Sequence, residues 1–202
     1  MNTNHSGYPG VDVIDSLHDS EIELFRAMNL AGTNTVLDAM MVFFTLLGIS
    51  YVIVLVSVPL WLANRRDSAI DIVMLVILVT ILAESVKLLV DRPRPFEELA
   101  DVNTILTASG PSFPSAHASR AFAIATLLWL RAPRGIGISA VIVAMLIAVS
   151  RVYLGVHWPT DVLGGAVLGI VTAYAFERMT HIWTTYRHAR FRMISALSRG
   201  KT

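Results

Sequence analysis

Residues 39–63 read AMMVFFTLLGISYVIVLVSVPLWLA, 25 consecutive positions without a charged side chain. A helix rises about 1.5 Å per residue and the hydrocarbon core of a bilayer is about 30 Å thick, so roughly 20 apolar residues suffice to cross it. This stretch exceeds that length and predicts a membrane span. The composition agrees: 54% of the 202 residues are hydrophobic and 15% are charged, where a soluble domain carries about 25%. Mean hydropathy is +0.62. The chain therefore reads as an all-α, integral membrane helical bundle, too short to add a sizeable soluble domain. A net charge of +1 implies no polyanionic partner such as nucleic acid, and the absence of cysteine excludes thiol chemistry, disulfides and Cys-ligated zinc.

Outward from this span, four more apolar stretches are expected as helices, at about 70–90, 115–130, 136–152 and 159–182, for about five transmembrane helices in all. Their uncharged cores hold only 10 to 16 residues, short of the roughly 18 a span needs. They reach full length if Glu84, Lys87, Arg120, Arg151 and Asp161 sit at span ends or face the bundle interior; otherwise some are core helices of a soluble protein. Before them, residues 11–30 place Ile14, Leu17, Leu24, Phe25 and Met28 among Asp12, Asp15, Asp19, Glu21 and Glu23, the pattern of an amphipathic interfacial helix. These first 30 residues are polar and acidic, unlike a cleavable signal peptide. The expected organisation is a tail and interfacial helix over 1–35, a transmembrane domain over 36–185 and a basic tail over 186–202.

Charge predicts orientation. Arg65 and Arg66, then Arg131 and Arg134, then Arg187, Arg190, Arg192, Arg199 and Lys201 mark three cytoplasmic segments by the positive-inside rule. Five spans then place the acidic N-terminal segment, residues 91–114 and residues 153–158 on the extracytoplasmic side, with the C-terminus cytoplasmic. The basic residues left facing outward, apart from Arg26, are Lys87, Arg92, Arg94, Arg120 and Arg151. They cluster in or near three short segments: KLLVDRPRP (87–95), PSAH (114–117) and SRVYLGVHWPTD (150–161).

Each segment has a chemical reading and a plainer one. In the first, Pro93 and Pro95 stop the helix, so Arg94 can turn back toward Lys87 and pair an ammonium with a bidentate guanidinium as a phosphate clamp. The plainer reading is basic side chains reaching for headgroups. Arg92 reads as solvent- or headgroup-facing, and Glu84 as the partner of Lys87. In the second, Ser115 reads as a helix N-cap that aims the amides of Ala116 and His117 at an anion; the plainer reading is a cap followed by an interfacial histidine. Arg120, one turn deeper, faces a second phosphate or pairs with Glu84.

In the third, Arg151 adds a cation, and His157 and Asp161 stand four residues apart. That spacing lets the carboxylate accept the Nδ1 proton and frees Nε2 as a nucleophile or base. The alternatives are a structural hydrogen bond or a metal pair, the latter disfavoured by three nearby cations and too few ligands. His5, His18, His181 and His188 read as uninvolved. Trp61, Trp129, Trp158 and Trp183 read as an aromatic belt, with Trp158 also bordering the lipid entrance, and Gly164, Gly165 and Gly169 as close-packing positions.

The pattern Lys87-x6-Arg94-Pro95, Pro114-Ser115-Ala116-His117 and Ser150-Arg151-x5-His157-x3-Asp161 resembles the three-part signature of the type 2 phosphatidic acid phosphatase superfamily, over about 75 residues. RPRPF and RVYLGVHWPTDVLGG are similar to small microbial lipid phosphatases, undecaprenyl-diphosphatases among them. The resemblance implies metal-independent hydrolysis without a cofactor, of a lipid phosphate or diphosphate in the cytoplasmic membrane, through a phosphohistidine. By position, His157 is the nucleophile, Asp161 orients it, and His117 is the acid and base. Lys87, Arg94, Ser115, the Ala116 amide and Arg151 hold the phosphoryl oxygens. One departure is Ala116, where many relatives carry Gly or Asp. A polyprenyl diphosphate is the leading substrate, against phosphatidate or phosphatidylglycerophosphate. A lipid phosphotransferase, a non-catalytic lipid binder or transporter, and a soluble-type haloperoxidase are the competing functions.

Overall fold

In the computed structural model of the protein, residues 9–30 and 34–199 are described, with side chains over 16–30 and 34–182. The described residues are helical without strands: α1 (Pro9–Asn29), α2 (Thr35–Leu47), α3 (Ser50–Leu55), α4 (Ser57–Leu62), α5 (Arg66–Val90), α6 (Pro95–Glu98), α7 (Ala116–Arg131), α8 (Arg134–Tyr153) and α9 (Pro159–Arg199). The all-α membrane bundle expected from composition is the fold observed. His5 and Lys201 lie outside the described residues. The backbone of α9 continues as helix from the expected span through most of the expected basic tail.

The apolar surface faces both ways, as it must in lipid. On α5, Ile72, Leu75, Val76, Val79 and Ala83 are buried against α7 and its neighbours, while Ile70, Met74, Ile77, Ile81 and Leu88 stay exposed on the other face. Three helical segments, Arg66–Glu98, Arg134–Tyr153 and Pro159–Ile182, are each long and apolar enough to cross a membrane. At 16 residues α7 is shorter, and it is the central element, with Ala118, Ser119, Ala121, Ala123 and Ala125 all buried. Its small side chains admit α9 closely: a Cβ added at Gly165 or Gly169 would lie 2.5 Å from Ser115 O or 2.2 Å from Ser119 O. Only a hydrogen fits there, which is the close packing expected of these glycines.

The first span departs from expectation. Instead of one helix over 39–63, α2 and the α3–α4 segment form a pair bent by 65°. At the break, Gly48 packs against its neighbours so tightly that a Cβ would lie 2.8 Å from Ile147 and 2.9 Å from the His117 ring. The Gly48 carbonyl accepts from Arg120 Nε at 3.3 Å and Nη2 at 3.2 Å. A second interruption, at Val56, precedes Pro59, which has no N–H to continue the ladder. With the break and the short α7, the anticipated five spans become three clear ones, one bent pair and one short central helix.

α1 is amphipathic, as read, and it is also tied into the bundle. Leu17 and Leu24 are exposed, whereas Phe25 and Asn29 are buried. Asn29 Nδ2 donates to Asn103 O at 2.9 Å and Tyr153 O at 2.8 Å, and its Oδ1 accepts from Asn103 N at 2.9 Å.

Candidate active site

The antiparallel course of the bundle brings four helix ends together. α5 finishes at the first charged segment, α7 starts in the second, and α8 ends and α9 starts in the third. Asp91 closes α5 in a left-handed conformation (φ 45°), with its N–H on Lys87 O at 2.9 Å, so the chain turns before Pro93. Ser115 N–H donates to Asp161 O at 2.9 Å, pinning the start of α7 to the first turn of α9.

The sequence-derived residues converge. His117 lies within electrostatic range of Arg151, Arg120, His157 and Lys87. His157 in turn feels Arg151, Arg94 and Lys87. Lys87 Nζ pairs with Glu84 at 3.1 Å, the partner expected. Ser115 is the N-cap residue of α7, yet its side chain makes no cap bond; its buried Oγ has no hydrogen-bond partner among the described residues. The same holds for Arg151 Nε, although Nη1 of that guanidinium donates to Thr45 Oγ1. Unpartnered buried polar atoms are costly; here one belongs to the residue that starts the helix carrying His117, and the other to a guanidinium whose charge reaches both imidazoles.

His157 is 2% exposed and its pKa is lowered well below the usual 6.5, first by burial and then by Arg151, Arg94 and Lys87. The opposing pull, from the ring donating to the Ser112 backbone, is weaker. The imidazole is therefore neutral. Asp161 faces it, with Nδ1 and Oδ2 3.4 Å apart, longer than a strong hydrogen bond. The carboxylate is fully buried, and Oδ2 also accepts from Trp158 N at 2.8 Å.

Arg94 occupies the site differently from its partners. It is 2% exposed and donates to four backbone carbonyls: Gly110 at 2.8 Å, Val156 at 2.7 Å, Ser109 at 3.1 Å and Pro111 at 3.3 Å. Four of the five donors of a guanidinium are thus directed at loop carbonyls, three in the segment before α7 and one before α9. It organises the pocket wall while its charge still reaches His157.

Three sequence readings are corrected. Arg92 is not headgroup-facing: it donates to Asp161 Oδ1 at 2.9 Å and Glu21 Oε2 at 2.6 Å. Trp158 is no belt residue, being wholly buried against Phe25, with ring centroids 5.3 Å apart, and donating from Nε1 to Pro93 O at 3.1 Å. Arg120 donates to the Gly48 carbonyl and makes no direct ion pair with Glu84, whose charge it still feels. Thr45, Gly48, Ser112 and Glu21 enter the site region without any sequence signal, since Thr45 and Gly48 sit in an apolar stretch, Glu21 in an acidic one and Ser112 in a Gly/Pro/Ser-rich one.

The PAP2 superfamily matches residues 68–185, more than half of the chain. The chain is 36% identical to an undecaprenyl-diphosphatase of Sulfolobus acidocaldarius over 152 residues, 73% of this chain and 72% of that one. It is 33% identical to undecaprenyl-diphosphatase BcrC of Bacillus subtilis over 165 residues, 79% and 84% of the two chains. Among solved structures, a transmembrane PAP2-type phosphatidylglycerolphosphate phosphatase from Bacillus subtilis superposes with a TM-score of 0.71 at 26% identity, covering 82% of this chain and 87% of that one. A match of this extent contains all three charged segments, on a bundle whose fold it shares: the chain belongs to the PAP2 superfamily and is a membrane phosphatase.

Proposed function

We propose that the protein hydrolyses a polyprenyl diphosphate of the undecaprenyl type, without a metal, at the extracytoplasmic face of the cytoplasmic membrane. The observation that carries this reading is the pair of buried groups without partners among the described residues, Ser115 Oγ at the start of the His117 helix and Nε of Arg151, whose charge reaches His117 and His157. A tetrahedral dianion supplies the acceptors both lack; Lys87 and the amides of Ala116 and His117 add donors around it, and Arg94, its donors mostly given to carbonyls, adds charge.

In the first step His157 Nε2 forms a bond to the terminal phosphorus as the bond to the bridging oxygen breaks. His117 gives that leaving oxygen a proton, and the lipid monophosphate departs. In the second, His117 takes a proton from water, the resulting hydroxide oxygen bonds to phosphorus, and the N–P electron pair returns to His157. Inorganic phosphate is released. Asp161 keeps Nδ1 oriented and offsets the charge that develops on the ring, and the surrounding cations stabilise the equatorial oxygens.

The diphosphate is favoured over phosphatidate and phosphatidylglycerophosphate by the relatives named undecaprenyl-diphosphatase, which match most of the chain. A panel assay of purified protein tests the reading. Phosphate release from polyprenyl diphosphate should exceed that from the two glycerolipids, and His157→Ala should lose at least about 10³-fold in kcat while His181→Ala retains activity. Equal activity of the two variants would contradict it.

A further inference from the structure

α9 starts at Pro159 and its first turn carries Asp161. Its early amide, Thr160 N, is satisfied from a distance of 139 positions, by Glu21 Oε1 of α1 at 3.1 Å. The Thr160 hydroxyl donates to the same oxygen. Glu21 is therefore a helix cap supplied by another helix, filling the role a local Ser or Asp normally has. Its second oxygen accepts from Arg92 Nη2 at 2.6 Å, and Arg92 Nη1 continues to Thr160 Oγ1 at 2.6 Å and Asp161 Oδ1 at 2.9 Å. The guanidinium lies over Trp158, 5.2 Å from the ring centroid, so it is fixed on one face by stacking and at its edge by two carboxylates.

Asp161 is wholly buried, and a buried carboxylate needs both a counter-charge and hydrogen bonds. Its two oxygens are divided: Oδ1 is held by Arg92, and Oδ2 faces Trp158 N and His157 Nδ1. The Trp158 amide and the Ser112 side chain also hydrogen-bond to the carboxylate, and Arg92 is the charged side chain that fixes it toward the imidazole, itself fixed by Glu21. We propose that Arg92, held by Glu21 of the N-terminal amphipathic helix, is a positioning residue for the nucleophile, fixing Asp161 and making catalytic geometry depend on the docking of α1. The inference rests on the phosphatase reading above.

The consequences separate positioning from substrate contact. The groups facing His157 are Arg151 of α8, Arg94 of the 91–115 loop, Lys87 of α5, His117 of α7 and Asp161 of α9. Those facing Arg92 are Glu21 of α1 and Asp161. Without Arg92 the Asp161 carboxylate keeps only the Arg94 charge as a counter-ion besides the imidazole and draws a proton to the His157 side of the pair, so the neutral imidazole requires a higher pH.

The test uses the full chain in detergent with a polyprenyl diphosphate, comparing Arg92→Gln, Arg92→Lys and Glu21→Gln. Arg92→Gln should lower kcat by about 10²-fold, the scale of a displaced catalytic group. Its KM should stay within about twofold, and the acid limb of its pH profile should move upward. Arg92→Lys should restore about tenfold and return the limb toward wild type, and Glu21→Gln should lose about tenfold in kcat. Wild-type kcat in Arg92→Gln, a raised KM at constant kcat, or a kcat loss without a moved limb or lysine rescue would overturn the inference. If Arg92→Gln does not fold, wild-type kcat in both Arg92→Lys and Glu21→Gln overturns it. Failure of the wild type itself to release phosphate would instead sink the phosphatase reading, and the inference with it.

Discussion

Arg94 and Arg151 are the same residue type in similar surroundings, and the fold uses them in opposite ways. Arg94 gives most of its donors to loop carbonyls, whereas Arg151 keeps Nε unpartnered beside the histidines. Both also hold His157 neutral through their charge. Because folding depresses the His157 pKa below 6.5, the unfolded chain binds a proton there that the folded chain does not. Stability from this group is thus present above pH 6.5 and declines as pH falls below it, by up to about 1.4 kcal/mol per pH unit. Wild type should therefore lose more melting temperature between pH 7 and 5 than His157→Asn does; parallel loss in the two would count against a neutral, buried imidazole. At this scale the sequence was partly legible. The pairing of His157 with Asp161 and the place of Ser115 and His117 at a helix start could be read from spacing. Arg92 could not, because its carboxylate partners lie 69 and 71 positions away and its neighbour Pro93 implies only an extended chain.

At the level of elements, hydropathy located the helices but not their continuity. The 39–63 stretch reads as one span because transfer energy alone sets the pattern, while the break at Gly48 is dictated by partners elsewhere: the ring of His117, the methyl of Ile147 and the guanidinium of Arg120. Close packing of α9 was legible, because three glycines fall within one helix, but its partners were not: Gly165 and Gly169 meet the start of α7, and Gly164 meets Phe113. Gly169→Ala places a methyl against the Ser119 carbonyl, a backbone atom that cannot step aside. It should destabilise the protein by at least about 1–3 kcal/mol, the cost of overpacking, read as a lowered melting temperature in detergent. Gly135→Ala, with nothing within 4 Å of its added Cβ, should leave melting unchanged. Equal behaviour of the two variants would mean that the α7–α9 approach is looser than described.

Across the whole molecule, charge divides by position along the bundle. The groups proposed for catalysis gather where α7 starts. At its other end, about 22 Å away at 1.5 Å per residue, Arg131 pairs with Asp71 and Glu177 and so joins α5, α7 and α9. Convergence of the three charged segments was legible because antiparallel helices joined by the 91–115 and 154–158 loops must return to the same end. The depth of α1 in that site was not, since an amphipathic pattern specifies an apolar face without naming what it docks against. The orientation proposed from Arg and Lys placement has a direct test, as the chain contains no native cysteine. In intact cells a membrane-impermeant maleimide should label Thr107→Cys and spare Asp67→Cys; the reverse pattern would invert the topology. The most direct measurement is acid-sensitive, base-stable trapping of radiolabel from a polyprenyl diphosphate labelled in its terminal phosphate, followed by peptide mapping. Label on His157, absent in His157→Ala and formed in the presence of a metal chelator, is the expected result. Label on another residue, or turnover by His157→Ala at the wild-type rate, would contradict it.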